Sequence, residues 1–153
     1  MKREPRPNPG YLINRAGRLL GRVADSRLKP LGVAAGQVPI LALLNNGPAM
    51  TQTALARLVG IEQPTMAATL SRMERDGLIE RRADAADGRS SLIHLTPLAV
   101  AKIPDVMAVL TQGREEMQAG FDDAERQLLN DLLLRVIANL EEVSRKDDAA
   151  ATA

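Results

Sequence analysis

Residues 51–96 decide the fold, and they read TQTALARLVGIEQPTMAATLSRMERDGLIERRADAADGRSSLIHLT. A short helix begins after Thr51, whose hydroxyl suits a helix N-cap, and it ends at Gly60, a residue that tolerates the left-handed conformation. A second helix spans residues 63–75, and Pro64 lies in its first turn, where a missing N–H costs no hydrogen bond. This order predicts a helix, a tight turn and a second helix.

The same stretch ends in two short extended runs, residues 78–82 and 91–96. In the second run Ile93 and Leu95 alternate with polar neighbours, which is the pattern of a strand with one buried face. A polar segment containing Asp-Gly separates the runs, and such a segment favours a β-hairpin. Because the connecting loop is longer than two residues, we expect it to project from the domain.

The helix over 63–75 has two distinct faces. Met66, Leu70 and Met73 recur at helical spacing and are predicted to pack inward. The outward positions are Pro64, Ala67, Ala68, Ser71, Arg72 and Arg75. Small residues allow a close approach to a base edge, polar ones offer donors and acceptors, and arginine suits phosphate, so this face fits the major groove of DNA.

Helices are also predicted on both sides of this stretch. A first helix follows Tyr11, with Leu12 and Leu19 in its apolar stripe, and a buried second helix covers about 35–44. A long helix opens at Pro97. The last helix, predicted over 122–146, carries a coiled-coil-like seam. That seam is formed by Leu129, Leu133, Val136, Leu140 and Val143.

The fold class predicted is therefore mainly α with a small β-hairpin wing. We expect a flexible basic arm over 1–9, one domain over 10–146 and a disordered tail over 147–153. Within the domain, residues 35–96 form a winged helix-turn-helix lobe. The terminal segments 10–34 and 97–146 lie outside this lobe and are predicted to form a region of long helices.

Composition narrows the function. The chain has 153 residues, no cysteine and one histidine, so disulfides and thiolate metal sites are excluded, and we expect no metal and no cofactor. No phosphate-binding glycine loop or Ser/His/Asp set is present, so an enzyme is not expected. No apolar run approaches a membrane span, and the N-terminus lacks a secretory pattern, which predicts a cytoplasmic protein.

Charge is distributed unevenly although the net charge is only +1. Residues 1–30 hold eight Lys or Arg against two acids, whereas residues 97–153 hold six against eleven. Nucleic-acid binding requires a local basic surface and not a basic total. The distribution is compatible with a DNA-binding first half, and chance is the alternative explanation.

Taken together, these motifs resemble the MarR family (multiple antibiotic resistance regulators). The resemblance covers roughly residues 10–145 and is carried by the joint order and spacing of several short motifs, each weak alone. They are TQTALARLVGI at 51–61, QPT at 63–65, Leu70, RMERDGLIER at 72–81, DGR at 87–89 and Leu95-Thr96. One departure is Glu62, because many relatives have Ser, Thr or Asp at this capping position. Glu caps poorly and brings a negative charge near DNA, which leaves the base preference open.

The resemblance implies a winged helix-turn-helix in the middle of the chain and a dimerisation region built from the two chain ends. It implies that Arg89 at the wing tip enters a minor groove and that Asp87 orients it, as charge-assisted hydrogen bonding allows. By this resemblance the recognition helix would present Gln63, Pro64, Thr65, Ala67, Ala68 and Arg72. Ser71 is added to the DNA-binding candidates because it lies on the same outward face. The dimer would use Leu12, Leu19 and the seam of the last helix.

For function, the resemblance implies a ligand-responsive regulator, usually a repressor, that binds a pseudo-palindromic operator in double-stranded DNA as a homodimer. The effectors of such regulators are often small aromatic or phenolic anions. Arg15, Arg18 and Arg22 on the first helix are candidates to bind one. Another class stays open, which is a winged-helix protein-interaction module without DNA binding.

Blander roles for several residues also stay open. Arg89 is in isolation an ordinary turn residue, and Arg72 is placed to pair with Asp76 four residues later. Gln63 and Thr65 are also common polar residues at helix starts, and Arg81 and Arg82 are as compatible with solvent as with DNA. The seam could pack within one subunit.

Overall fold

The computed structural model describes residues 8–83 and 90–151, with the side chains of Asp148 and Ala151 excepted. The helices are α1 (Pro9–Leu28), α2 (Val38–Asn46), α3 (Gln52–Val59), α4 (Gln63–Arg75), α5 (Pro97–Met117) and α6 (Asp123–Ala151). Short 3₁₀ helices cover Lys29–Leu31 and Ala35–Gln37. The strands are β1 (Met50–Thr51), β2 (Ile79–Ala83) and β3 (Ser91–Leu95). The predicted fold class is confirmed.

The helix-turn-helix ends are fixed by local hydrogen bonds. Thr51 Oγ1 accepts from the amide of Ala54 at 3.2 Å, which is the N-cap expected from the sequence. At the other end of α3, Gly60 has φ 73° and its N–H donates to the carbonyl of Ala56. A side chain at that φ would be strained, so the glycine allows the sharp turn into α4.

The sheet contains a strand that the sequence analysis missed. Its order is β1-β3-β2, and all neighbours are antiparallel. The short β1 pairs Met50 with Ile93, and the hairpin pairs Ile79 with Leu95. Because β1 has only two residues, it carries no alternation that a periodicity search can detect. It attaches the hairpin to the start of α3.

Two compact units divide the chain, the first ending at Gly113 and the second beginning at Arg114. The first contains the core, where Leu55, Met66, Leu70 and Ile93 are fully buried. This core joins α2, α3, α4 and the sheet, so the helix-turn-helix and the hairpin share one interior. The single domain predicted over 10–146 stays a prediction.

The second unit is dominated by α6. Its start has a capping box, in which the Asp122 side chain accepts from the Glu125 amide at 2.8 Å and the Glu125 carboxylate accepts from the Asp122 amide at 3.0 Å. The helix continues past Lys146 to Ala151, so the predicted end is too early. Alanines near the C-terminus have high helix propensity, which explains the extension.

No single helix within residues 8–83 and 90–151 has the length and apolarity needed to cross a membrane. Two helical segments, 9–31 and 35–46, are together long and apolar enough to meet the criterion for a membrane span, but the chain bends sharply between them.

Candidate nucleic-acid interface

Burial of one face sets the orientation of α4. Met66, Leu70 and Met73 have no exposed surface, as their spacing predicted. The opposite face is open: Gln63, Pro64, Thr65, Ala68, Ser71 and Arg72 are exposed, and Ala67 is half-buried. The structure therefore places the predicted recognition residues of α4 together on one accessible surface.

A chain of hydrogen bonds runs along this surface through Thr69, a residue that sequence reasoning did not single out. Thr69 is largely buried, and its hydroxyl donates to the Thr65 carbonyl at 2.9 Å. Arg72 Nη2 donates to the same hydroxyl oxygen at 3.3 Å. Asp76 is bonded to Arg75 instead, at 3.3 Å. The alternative pairing of Arg72 with Asp76 is therefore not the one adopted.

The N-terminus of α4 has an unusual arrangement. Glu62 occupies the N-cap with extended backbone angles but makes no capping hydrogen bond. Its carboxylate leaves the first backbone N–H groups of the helix available, and the helix dipole favours an anion there. Close by, Gln52 Nε2 donates to Gln63 Oε1 at 3.3 Å, which links the first residues of α3 and α4.

The hairpin is connected to α4 by a side-chain pair. Arg81 Nε on β2 lies 3.3 Å from Glu74 Oε2 on α4. The next residue, Arg82, is exposed and contacts Glu80 on its own strand. Of the two arginines, Arg81 is thus held against the helix and Arg82 faces solvent. Such partly exposed pairs contribute little stability, about 0–1 kcal/mol each, but they restrict side-chain orientation.

Thr96 holds the end of the hairpin. Its hydroxyl donates to the Gly77 carbonyl at 2.6 Å and accepts from the Ala99 amide at 3.2 Å. Its backbone N–H donates to the Leu78 carbonyl at 3.1 Å. One residue therefore joins the turn after α4, the start of the wing at Leu78 and the first turn of α5. The predicted wing residues Asp87 and Arg89 lie outside the described residues.

Comparison with known proteins agrees with this geometry. The sequence pattern of the MarR family matches residues 31–90. The HTH-type transcriptional regulator YwoH of Bacillus subtilis is 30% identical over 122 residues, which cover 80% of this chain and 88% of that protein. The chain belongs to the MarR family. Members of this family are transcriptional regulators, which are not enzymes.

Solved structures share the fold. The crystal structure of the transcriptional regulator PA3341 matches with a TM-score of 0.74 and 36% identity, covering 87% of this chain and 98% of that one. The S. aureus MepR–DNA complex matches with a TM-score of 0.82 and 20% identity, covering 88% and 99%. At that lower identity the likeness establishes the fold alone.

The terminal helices of this MarR-family chain carry exposed apolar side chains. On α1, Leu12 and Leu19 are each 45% exposed. On α6, Leu133, Val136, Leu140 and Val143 are exposed and Leu129 is half-buried. The apolar surface of α6 is broader than the predicted seam, because other large residues are exposed as well. These are Leu128, Leu132, Leu134 and Ile137.

An open groove lies beside α4 in the first unit. Its volume is about 640 Å³, and its charged lining residues are Lys29, Arg72, Lys102, Asp25 and Asp76. Four of these make contacts within the protein: Asp25 accepts from the Ala35 amide at 2.7 Å and Lys102 donates to the Leu31 carbonyl at 2.5 Å, while Arg72 and Asp76 make the bonds to Thr69 and Arg75 described above. Sequence reasoning missed this set because its members come from three separate segments of the chain, 25–29, 72–76 and the region around Lys102.

The arginines predicted to bind a ligand lie elsewhere. Arg15, Arg18 and Arg22 are exposed on α1 and do not line this groove. Their role as ligand contacts stays a prediction.

The orientation of α4 can be checked by comparing two neighbouring residues. We expect Leu70→Ala to lower the free energy of unfolding by about 2–5 kcal/mol, because it leaves a cavity in the core. Ser71→Ala, on the exposed face, is expected to change it by less than about 0.5 kcal/mol. Urea denaturation at one fixed protein concentration measures both. Equal effects would contradict the observed rotation of the helix.

Proposed function

We propose that this protein is a sequence-specific, double-stranded DNA-binding transcriptional regulator of the cytoplasm that acts as a homodimeric, ligand-responsive repressor. The observation that carries the proposal is the exposed face of α4, which combines small residues, polar side chains and Arg72 next to a hairpin. The S. aureus MepR structure, which shares the fold, is a complex with DNA.

The chemistry of the face supports major-groove binding. Pro64, Ala67 and Ala68 add little bulk, so the helix backbone can approach the bases closely. Gln63, Thr65 and Ser71 supply hydrogen-bonding groups for base edges or phosphates. Arg72 supplies a positive charge at the edge of the same face, where a phosphate would lie.

The wing adds a second contact in this proposal. Because β2 and β3 pair from Ile79 with Leu95 to Ala83 with Ser91, the segment that joins them starts at the far end of the hairpin. Arg89 belongs to that segment. A narrow minor groove concentrates negative potential and attracts an inserted arginine. In this proposal the Asp87 carboxylate orients the Arg89 guanidinium by a charge-assisted hydrogen bond.

DNA binding is tested by titrating the protein against a duplex from upstream of its own gene, with a scrambled duplex as control, at several salt concentrations. We expect binding that depends on sequence and weakens steeply with salt. Arg89→Ala should weaken specific binding by about 1–3 kcal/mol, and Arg72→Ala should reduce the salt slope by about 1.

The matched control is Arg114→Ala, which removes an exposed arginine on α5, outside the recognition helix and the hairpin. It should leave the specific affinity unchanged. Absence of binding to any duplex at low salt would overturn the proposal and favour the protein-interaction module. Increased transcription from the bound duplex in vitro would make the protein an activator and not a repressor.

The homodimer is supported by the exposed apolar surface of α6. Leu140 is 64% exposed and Val143 is 53% exposed in the single chain. A contiguous apolar surface of this kind usually marks a protein interface. A twofold dimer would place two recognition helices about 34–36 Å apart, which matches half-sites one helical turn apart and a pseudo-palindromic operator.

Dimerisation is tested with two substitutions on α6 that add the same charge. Leu140→Glu should shift the protein to a monomer in sedimentation equilibrium, because it places a carboxylate in the apolar surface. Asn139→Glu, at the adjacent exposed position, should leave the dimer intact. A Leu140→Glu variant that stays dimeric would exclude this face of α6 from the interface.

Ligand response is supported by the groove beside α4. Its volume of about 640 Å³ is within the range of small-molecule sites. Lys29, Lys102 and Arg72 give it a positive side, which suits a small aromatic or phenolic anion. Because Arg72 belongs to α4, a ligand there would act on the recognition helix directly. Its effect on DNA affinity cannot exceed its differential affinity for the two forms.

Two substitutions distinguish the groove from the α1 arginines as the ligand site. Lys29→Gln changes the groove and Arg18→Gln changes α1, and both replace an exposed cationic residue. Benzoate and hydroxybenzoates, added to the protein–DNA complex, are expected to release wild-type protein and Arg18→Gln. They should release Lys29→Gln only at higher concentration. The reverse pattern would assign the ligand to the α1 arginines, and no release of any form would remove these anions as effectors.

A further inference from the structure

The hydrogen bond between Gln52 and Gln63 goes beyond what a polar helix start requires. Gln52 is the first residue of α3 and half-buried, and Gln63 is the first residue of α4 and exposed. Gln52 Nε2 donates to Gln63 Oε1 at 3.3 Å. In a helix-turn-helix the N-terminal residues of the second helix meet base edges, and the first helix crosses the backbone. The pair therefore lies where base and backbone contacts meet.

The donor and acceptor pattern of this pair is specific. A glutamine amide has two N–H donors and an oxygen with two lone pairs. Since Gln52 occupies one lone pair of Gln63 Oε1, the second lone pair and both N–H groups of Gln63 remain for a ligand. The bond to Gln52 also fixes which end of the Gln63 amide is the acceptor. Gln63 therefore presents one acceptor and one donor side by side.

We propose that Gln63 reads an adenine in the major groove of each half-site and that Gln52 is the positioning residue that orients the Gln63 amide. This inference rests on the proposed DNA-binding function. Adenine offers an N6 donor and an N7 acceptor, which pair with Oε1 and Nε2 of glutamine in a bidentate contact. Guanine offers two acceptors, so its O6 would face the oxygen of Gln63 without a hydrogen bond.

Gln52 has a second function in this arrangement. One N–H of its amide is used by Gln63, and the other is free to donate to a phosphate oxygen of the backbone that α3 crosses. In water a bond of 3.3 Å between two solvent-accessible side-chain amides is weak. At the DNA surface water is displaced and the local dielectric falls, so the same bond strengthens. The side-chain amide of Gln63 is therefore held most firmly in one orientation when DNA is bound.

The test begins by selecting bound duplexes from a randomised library with wild-type protein. An A·T pair should be enriched at one symmetric position of each half-site. The selected duplex is then remade with 7-deazaadenine at that position, which removes the N7 acceptor. Wild-type protein should lose about 5- to 150-fold in affinity. Gln63→Ala should bind the natural and modified duplexes equally and should select no base at that position.

The role of Gln52 is tested by the ratio of the affinities for the natural and the 7-deazaadenine duplex, and not by affinity alone. Gln52→Ala should reduce the preference for adenine over 7-deazaadenine while thermal stability stays unchanged. The lost phosphate contact should weaken binding to the selected and the scrambled duplex by the same factor. When Gln52→Ala and Gln63→Ala are combined, the preference for adenine over 7-deazaadenine should be no lower than in Gln63→Ala alone, because Gln52 acts through Gln63. Gln127→Ala, which removes an exposed glutamine of α6, should behave as wild type.

The outcomes are separable. If wild-type protein enriches no sequence, the proposed DNA-binding function fails. If it enriches a sequence but Gln63→Ala keeps the same preference at every position, adenine reading by Gln63 is wrong. A uniform loss of affinity for all duplexes in Gln63→Ala would assign Gln63 to a phosphate contact. Unchanged discrimination in Gln52→Ala would remove Gln52 as the positioning residue.

Discussion

The complete burial of Met66, Leu70 and Met73 is the constraint on which the rest of the candidate interface depends. Successive residues of an α-helix are about 100° apart, so turning α4 by one position would move these side chains out of the core. Large side chains cost about 2–5 kcal/mol when truncated in a core, which makes such a rotation unfavourable. The exposed face of α4 therefore follows from its buried face.

The position of the hairpin follows from the same core. Leu78 and Ile79 are buried immediately after Gly77, whose φ of 72° allows the chain to reverse after α4. Thr96 then joins the end of β3 to this turn and to α5. Because these contacts tie both the start and the end of the hairpin to the turn after α4, the hairpin and α4 are held as one structural element. Arg81 and Glu74 add a surface contact between them.

Local signals predicted most of this lobe and failed at pairings between distant residues. The N-cap at Thr51, the turn at Gly60 and the bounds of α4 each depend on a few adjacent residues, so the sequence predicts them. The pairing of β1 with β3 and the bond between Gln52 and Gln63 depend on how helices and strands are arranged in space. Periodicity contains no information about such contacts.

The candidate sites also differ in how far the local sequence could predict them. The exposed face of α4 was predictable because helical spacing separates Met66, Leu70 and Met73 from their polar neighbours. The charged groove was not, because Lys29, Arg72 and Lys102 come from separate parts of the chain. For α6, spacing identified a seam but not its width, since Leu134 and Ile137 fall outside a heptad pattern and are still exposed.

The polar side chains of the interface are held in the free protein by weak and exchangeable bonds. Arg72 bonds to Thr69, and Gln63 bonds to Gln52, at 3.3 Å in each case. Binding a partner usually costs about 0.5–1.5 kcal/mol for each flexible side chain that becomes fixed. Partial ordering before binding lowers that cost. Bonds of this length are also weak enough for a phosphate or a base edge to replace or strengthen them, so the surface is ordered without being closed to a ligand.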